Sequence, residues 1–273
     1  MTTTRRAFLA LAAAALAAPR GAQAAPASRL LSPRWAEFGA GGDPEAGPWA
    51  EFLTRWRRPG ADGVALVDYA GAKAAGALAP LRDWIGAMER VEPGQLSRPA
   101  AFAFWSNLYN AETVALILEA WPVGSIREIG GSLFSPGPWR EARLSVGGEA
   151  LSLDDIEHGI LRPVWGDARV HYAVNCAALG CPDLGAEPWR AEGLDAALDE
   201  AARVFVNHPR GARAEGGRLV VSKIYDWFEE DFGGTDAGVI AHLRAYAAPP
   251  LAAALEGVTR ISGSEYDWSI NAA

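Results

Sequence analysis

The densest run of chemically able side chains is His171-Tyr172-Ala173-Val174-Asn175-Cys176-Ala177-Ala178-Leu179-Gly180-Cys181-Pro182. Arg169 to Asn175 reads as a buried strand, and alternation then puts His171, Ala173 and Asn175 on one face. Cys176 falls where that strand should yield to a turn or a helix start. There, unpaired amides and the helix dipole would favour a thiolate. A second imidazole, His158, follows Glu157 in a separate helix, with Asp154 and Asp155 one turn back.

These residues supply the parts of a thiol enzyme. Cys176 would attack a carbonyl, His158 or His171 would move the proton, and Glu157, Asp155 or Asn175 would orient the imidazole. Asn175 or nearby amides would stabilise the oxyanion. The same residues admit other roles. Cys176 and Cys181 can form a disulfide in an oxidising compartment. Alternatively, His171, Cys176, Cys181 and His158 can ligate zinc, although the usual Cys-x2-Cys spacing is missing. A purely structural Cys-His pairing is the third alternative.

Other elements must hold this segment in place. Ser97 caps a helix with Pro99 in its first turn, and Phe104, Leu108, Ala111, Ala115 and Leu118 form its apolar stripe up to Pro122. On that helix Asn107 and Asn110, beside Trp105 and Tyr109, either tie helix to loop or bind a substrate amide. The pattern Ser152-x-x-Asp155 is a capping box, opening a helix through Ile156 and Ile160 that should end before Pro163. Hairpins are expected around Gly147-Gly148 and Gly216-Gly217. Helices are expected over 78–88, 194–205, after Ser222, and over 235–246. His208 and His242 read as solvent-facing or helix-capping.

The chain has 273 residues, 33 acidic against 25 basic, and two cysteines. Its eleven Trp, nine Phe and six Tyr argue against disorder. Its acidity argues against a nonspecific nucleic-acid binder. No Gly-x-Gly-x-x-Gly or Walker loop is present, which disfavours nucleotide-dependent classes. Scattered short strands among helices favour an α+β fold, one compact domain over 48–273 with several helices around a small, mainly antiparallel sheet. The segment 25–47, rich in Ala, Pro, Gly and Ser, is expected to wrap loosely as an N-terminal extension.

Residues 1–24 carry Arg5-Arg6-Ala7-Phe8-Leu9, an apolar run to Ala18, and Ala22-Gln23-Ala24. That combination predicts a twin-arginine signal peptide, with the translocase as transient partner and a periplasmic or secreted destination. The apolar run is too short to span a bilayer, so no stable membrane insertion is expected after cleavage.

Four ordered blocks resemble the domain-of-unknown-function family 547: Phe104-Trp105-x-Asn107-Leu108-Tyr109-Asn110-Ala111, Ile156-Glu157-His158-Gly159-Ile160-Leu161-Arg162, His171 to Cys176 with Cys181-Pro182, and Ser222-Lys223-Ile224-x-x-Trp227-Phe228-x-x-Asp231-Phe232. The resemblance brings no activity, but it implies that His158, His171, Asn175, Cys176 and the two asparagines form a recurring constellation. In having histidine before cysteine, the chain is also similar to permuted papain-like or transglutaminase-like cysteine hydrolases. The leading expectation is therefore a thiol-dependent hydrolase or acyl transferase acting on amide or thioester bonds of a peptide, acyl or small-molecule substrate. No cofactor or metal is expected in that reading. The alternative is a non-enzymatic envelope module with a structural Cys176–Cys181 disulfide, or a zinc-binding protein.

Overall fold

A computed structural model describes residues 26–132 and 135–273. The expected signal segment therefore lies outside the described residues. In chain order, α1 (Gly47–Trp56) leads through β1 (Arg57–Pro59) and β2 (Ala65–Val67) to α2 (Tyr69–Ala74), α3 (Leu78–Met88) and the long α4 (Arg98–Ala120). The short pairs β3 (Gly131–Ser132)/β4 (Ser135–Pro136) and β5 (Leu144–Val146)/β6 (Glu149–Leu151) follow. A π-helical turn, Asp155–Leu161, runs into α5 (Arg162–Trp165), and α6 (Val170–Ala173) precedes the cysteine loop. The chain continues through α7 (Leu194–Asn207), β7 (Ala212–Glu215), β8 (Arg218–Ser222), α8 (Ile224–Trp227), α9 (Asp236–Tyr246), α10 (Pro249–Ala254) and β9 (Gly263–Glu265). This is an α+β fold with small sheets, antiparallel except for the parallel β8–β9 pair.

Two apolar clusters flank the candidate site. The larger surrounds α4 and includes Trp49, Trp84, Trp105, Leu108 and Ile117. The smaller lies among α7, β8 and α9, with Phe205, Leu219, Tyr225 and Leu243. Adjacent residues split between them, since Ala173 belongs to the first and Tyr172 to the second.

Helix α4 carries no single buried stripe, contrary to its periodicity. Every residue from Ala100 to Leu118 is buried, which is the behaviour of a helix enclosed on all sides. Its buried polar groups are served unevenly: Trp105 Nε1, Ser106 Oγ and Thr113 Oγ1 have no hydrogen-bond partner among the described residues, whereas others find internal ones. Glu112, fully buried, does so through Arg82 and Arg143, which also hold Glu119.

The extension after the expected cleavage point is more firmly held than its composition suggests. Trp35 is only 3% exposed and packs edge-on against Trp105 at 5.3 Å. At the other end, the C-terminal tail pairs with β2 and with the cysteine loop. The Val67 amide donates to the Asn271 carbonyl at 2.8 Å, and Leu179 and Gly180 donate to Ser269 and Asp267.

The expected strand over 169–175 is instead the helical turn α6 followed by extended chain. A short run of Val, His, Tyr and Ala satisfies either period, and here the turn wins. The helix after Ser152 also passes through Pro163 rather than stopping before it. The π winding is compatible with that passage, because the chain there does not require a Pro163 amide.

Candidate functional site

The Ser152 cap fixes the start of the helix that carries Glu157 and His158. The Ser152 amide donates to the Asp155 carboxylate at 2.9 Å, and the Asp155 amide donates to the Ser152 hydroxyl at 3.1 Å. From this helix Glu157, His158 and Arg162 project into a buried cluster with His171 of α6 and Asp231.

Arg162, 3% exposed, is the hub. Its Nε donates to Asp231 at 2.6 Å, Nη2 to Glu230 at 2.7 Å, and Nη1 to the Pro26 carbonyl at 2.8 Å. Nη1 also lies 3.2 Å from His158 Nδ1. An arginine can only donate, so His158 Nδ1 must accept and its proton sits on Nε2, facing Asp154 at 3.8 Å. Burial drives the His158 imidazole down to about 4, in agreement with a neutral ring. His171 Nε2 stands 2.7 Å from Asp231, and its Nδ1 stands 3.8 Å from Glu157. Burial lowers His171 as well, and the hydrogen bond to Asp231 opposes that only in part.

The carboxyls are driven apart. Burial raises Glu157, with His171, Arg162 and a hydrogen bond from Tyr109 pulling it back. Asp231 is less buried, and hydrogen bonds from His171 and Arg162 outweigh its burial and hold the group at about 2. Asp231 is thus an acceptor-only carboxylate, which places the His171 proton on Nε2. Phe228 stacks on His171 at 4.2 Å and fixes the ring plane.

Cys176 and Cys181 are joined in a disulfide. The Tyr266 hydroxyl lies 3.1 Å from the Cys176 sulfur and 2.9 Å from that of Cys181. No helix begins at Cys176, so the expected dipole is missing; the segment after α6 is irregular up to the loop's pairing with the tail. Among the described residues, the sulfurs' polar partners are Tyr266 and the Cys176 amide rather than an imidazole. The two groups are linked along the chain, since α6 carries His171 and leads within five residues to Cys176.

Asn175 spans its own loop. Its Nδ2 donates to the Pro182 carbonyl at 2.7 Å, and its Oδ1 accepts from the Ala177 amide at 2.8 Å. Ala177 is left-handed at φ 59°, the one non-glycine residue with positive φ among those described. Asn110 clamps the same loop: its Nδ2 donates to the Ala173 carbonyl at 2.9 Å and its Oδ1 accepts from the Asn175 amide at 2.8 Å. Asn107 ties α4 to Trp189 through both ends of its amide, each at 2.9 Å. Trp105 is wholly buried core.

Sequence reasoning missed Arg162, Asp231 and Tyr266 as members of the site. The first two stand within the resembling blocks, so a signal was present; Tyr266 had none beyond its aromatic type. His242, expected to face solvent or cap a helix end, is instead partly buried, and its Nε2 lies 2.7 Å from the Tyr172 hydroxyl. Among the described residues, no group of three or more His, Cys, Asp or Glu side chains is arranged to hold a metal.

A family model described as protein of unknown function, DUF547, matches residues 93–206. This segment belongs to the DUF547 family. It holds α4, Glu157, His158, Arg162, His171, Asn175 and both cysteines, whereas Asp231, Tyr266 and Pro26 come from outside the DUF547 match. The block Ser222 to Phe232 also lies beyond it. Comparison with curated proteins and with solved structures gives no match.

Proposed function

We propose that the chain is an exported binding protein of the cell envelope in which Cys176–Cys181 staples a loop, rather than a thiol hydrolase. One observation carries this reading: both sulfurs are bonded to each other under Tyr266, while both imidazoles are engaged with carboxylates or Arg162. A disulfide sulfur is no nucleophile, and one formed over so short a loop persists in an oxidising compartment. That agrees with the twin-arginine signal read at residues 1–24.

The proposed ligand surface adjoins the staple. Tyr266 stands 4.9 Å from Trp227 and 4.6 Å from Trp268, ring centre to ring centre, and Trp139 follows at 5.7 Å from Trp268. These half-buried rings can stack on flat apolar faces of a peptide or glycan. Titrating peptide and oligosaccharide panels against tryptophan fluorescence tests the reading. Saturable binding that weakens at least tenfold in Trp227→Ala or Trp268→Ala supports it; binding indifferent to both substitutions contradicts it.

A second reading is favoured by the left-handed Ala177 beside the partly exposed Cys176, a geometry that can hold a strained nucleophile. There, reduction would free Cys176 for acyl transfer from an amide or thioester. Turnover seen only with reductant, and lost in Cys176→Ser, would establish it over the first.

A further inference from the structure

Pro163 removes a backbone donor from the end of the π turn. The Arg162 amide donates to the Glu157 carbonyl, five residues back. In that register the next donor, residue 163, would serve the His158 carbonyl; in the ordinary α register it would serve Gly159. Residue 163 is proline and serves neither. Both carbonyls are instead reached by a different part of the chain. The Arg29 amide donates to the His158 carbonyl at 3.1 Å, and the Leu31 amide donates to the Gly159 carbonyl at 2.9 Å.

The two donors are two residues apart, the period at which an extended chain presents groups on the same side. Three residues before the first donor, the Pro26 carbonyl accepts from Arg162 Nη1 at 2.8 Å. Gly159 makes the approach possible, since a Cβ there would stand 3.1 Å from the Leu31 Cβ. Side-chain burial contributes little. Leu30 and Leu31 remain 37% and 46% exposed, unlike Trp35 beyond them at 3%. Main-chain hydrogen bonds to a preformed edge hold this strap, as in β-strand addition.

We propose that this edge of the π turn is a polypeptide-binding site, that Pro26–Leu31 is its occupant in cis, and that an extended segment of another polypeptide can displace the strap. The edge selects two amide donors spaced i and i+2, a carbonyl three residues before the first, and no proline at either donor. The proposal is independent of the ligand assigned to the aromatic surface.

The probe is a labelled, end-blocked peptide of residues 26–31, read by fluorescence anisotropy against the full chain and against full-chain Arg29→Pro/Leu31→Pro. The double-proline chain, its strap unable to donate, should bind the peptide at least tenfold more tightly than the unaltered chain. Adding Pro163→Ala, which returns a donor to the helix, should lower that affinity at least tenfold. A folded double-proline chain that ignores the peptide, or takes a peptide bearing both prolines equally well, would overturn the proposal. Amide exchange on the unaltered chain tests it without substitution. Arg29 and Leu31 should exchange at least a hundredfold faster than Leu108 of α4, through an opening insensitive to low denaturant. Exchange of all three only through global unfolding would also overturn it.

Discussion

Removing the Asn110 amide would leave the buried Asn175 main-chain amide without a partner, while the Ala173 carbonyl would keep the Trp189 indole N–H at 3.0 Å. A stranded group costs about 1–3 kcal/mol. Asn110→Ala should therefore destabilise the protein by about 2 kcal/mol in urea unfolding, and a loss under about 0.5 kcal/mol would deny the clamp. The acid side has a definite sign. Burial lowers His158 to about 4, so the unfolded chain takes up that proton first, near 6.5, and stability is lost as pH falls between those values. Asp231, at about 2, extends the loss below the usual carboxylate range, while Asp154 and Glu157, raised by burial, act in the opposite sense. In His158→Gln the fall between pH 6.5 and 4 should shrink by about 2–3 kcal/mol. An unchanged slope would argue against a neutral buried ring. At this scale the sequence was partly readable. Residue types and blocks marked His158, His171 and Asn110, but which imidazole meets which carboxylate depends on contacts such as His171–Asp231, 60 residues apart.

The elements that were legible are those with local causes. The β5–β6 hairpin turns at Gly147 and Gly148, both at positive φ, and the Ser152 box closes as its spacing required. Two elements were not legible. The short run of α6 satisfies either period and was read as a strand. Helix α4 was read as amphipathic because its large apolar residues recur at helical spacing, although Asn107, Asn110 and Glu112 on its other faces are buried too. The cysteine loop and C-terminal tail form one unit by close backbone approach. A Cβ at Gly180 would lie 2.8 Å from the Asp267 amide nitrogen and 2.9 Å from the Tyr266 ring. Gly180→Ala should thus push the tail off the loop, costing about 1–3 kcal/mol and exposing the tail to limited proteolysis. Gly216→Ala, in a turn with open space around its Cβ position but at positive φ, should leave tail cleavage unchanged. Equal cleavage in both variants would contradict the tail–loop contact.

Taken whole, the site lies where two apolar clusters meet, closed by segments far apart in sequence: the strap at one end of the chain, the Tyr266 tail at the other. The matched segment 93–206 therefore holds only part of the site, without Asp231 and Tyr266. The proposed export makes the staple chemically reasonable, and Arg5→Lys with Arg6→Lys should retain the chain uncleaved in the cytoplasm, as fractionation would reveal. The most direct test of the staple is alkylation of each cysteine, followed by mass spectrometry on the natively exported protein from about pH 4 to 9. The account predicts that neither Cys176 nor Cys181 is modified until a reductant is added, after which both are. Rapid, selective modification of Cys176 without reductant, with an apparent pKa well below the free-thiol value of about 8.5, would contradict it.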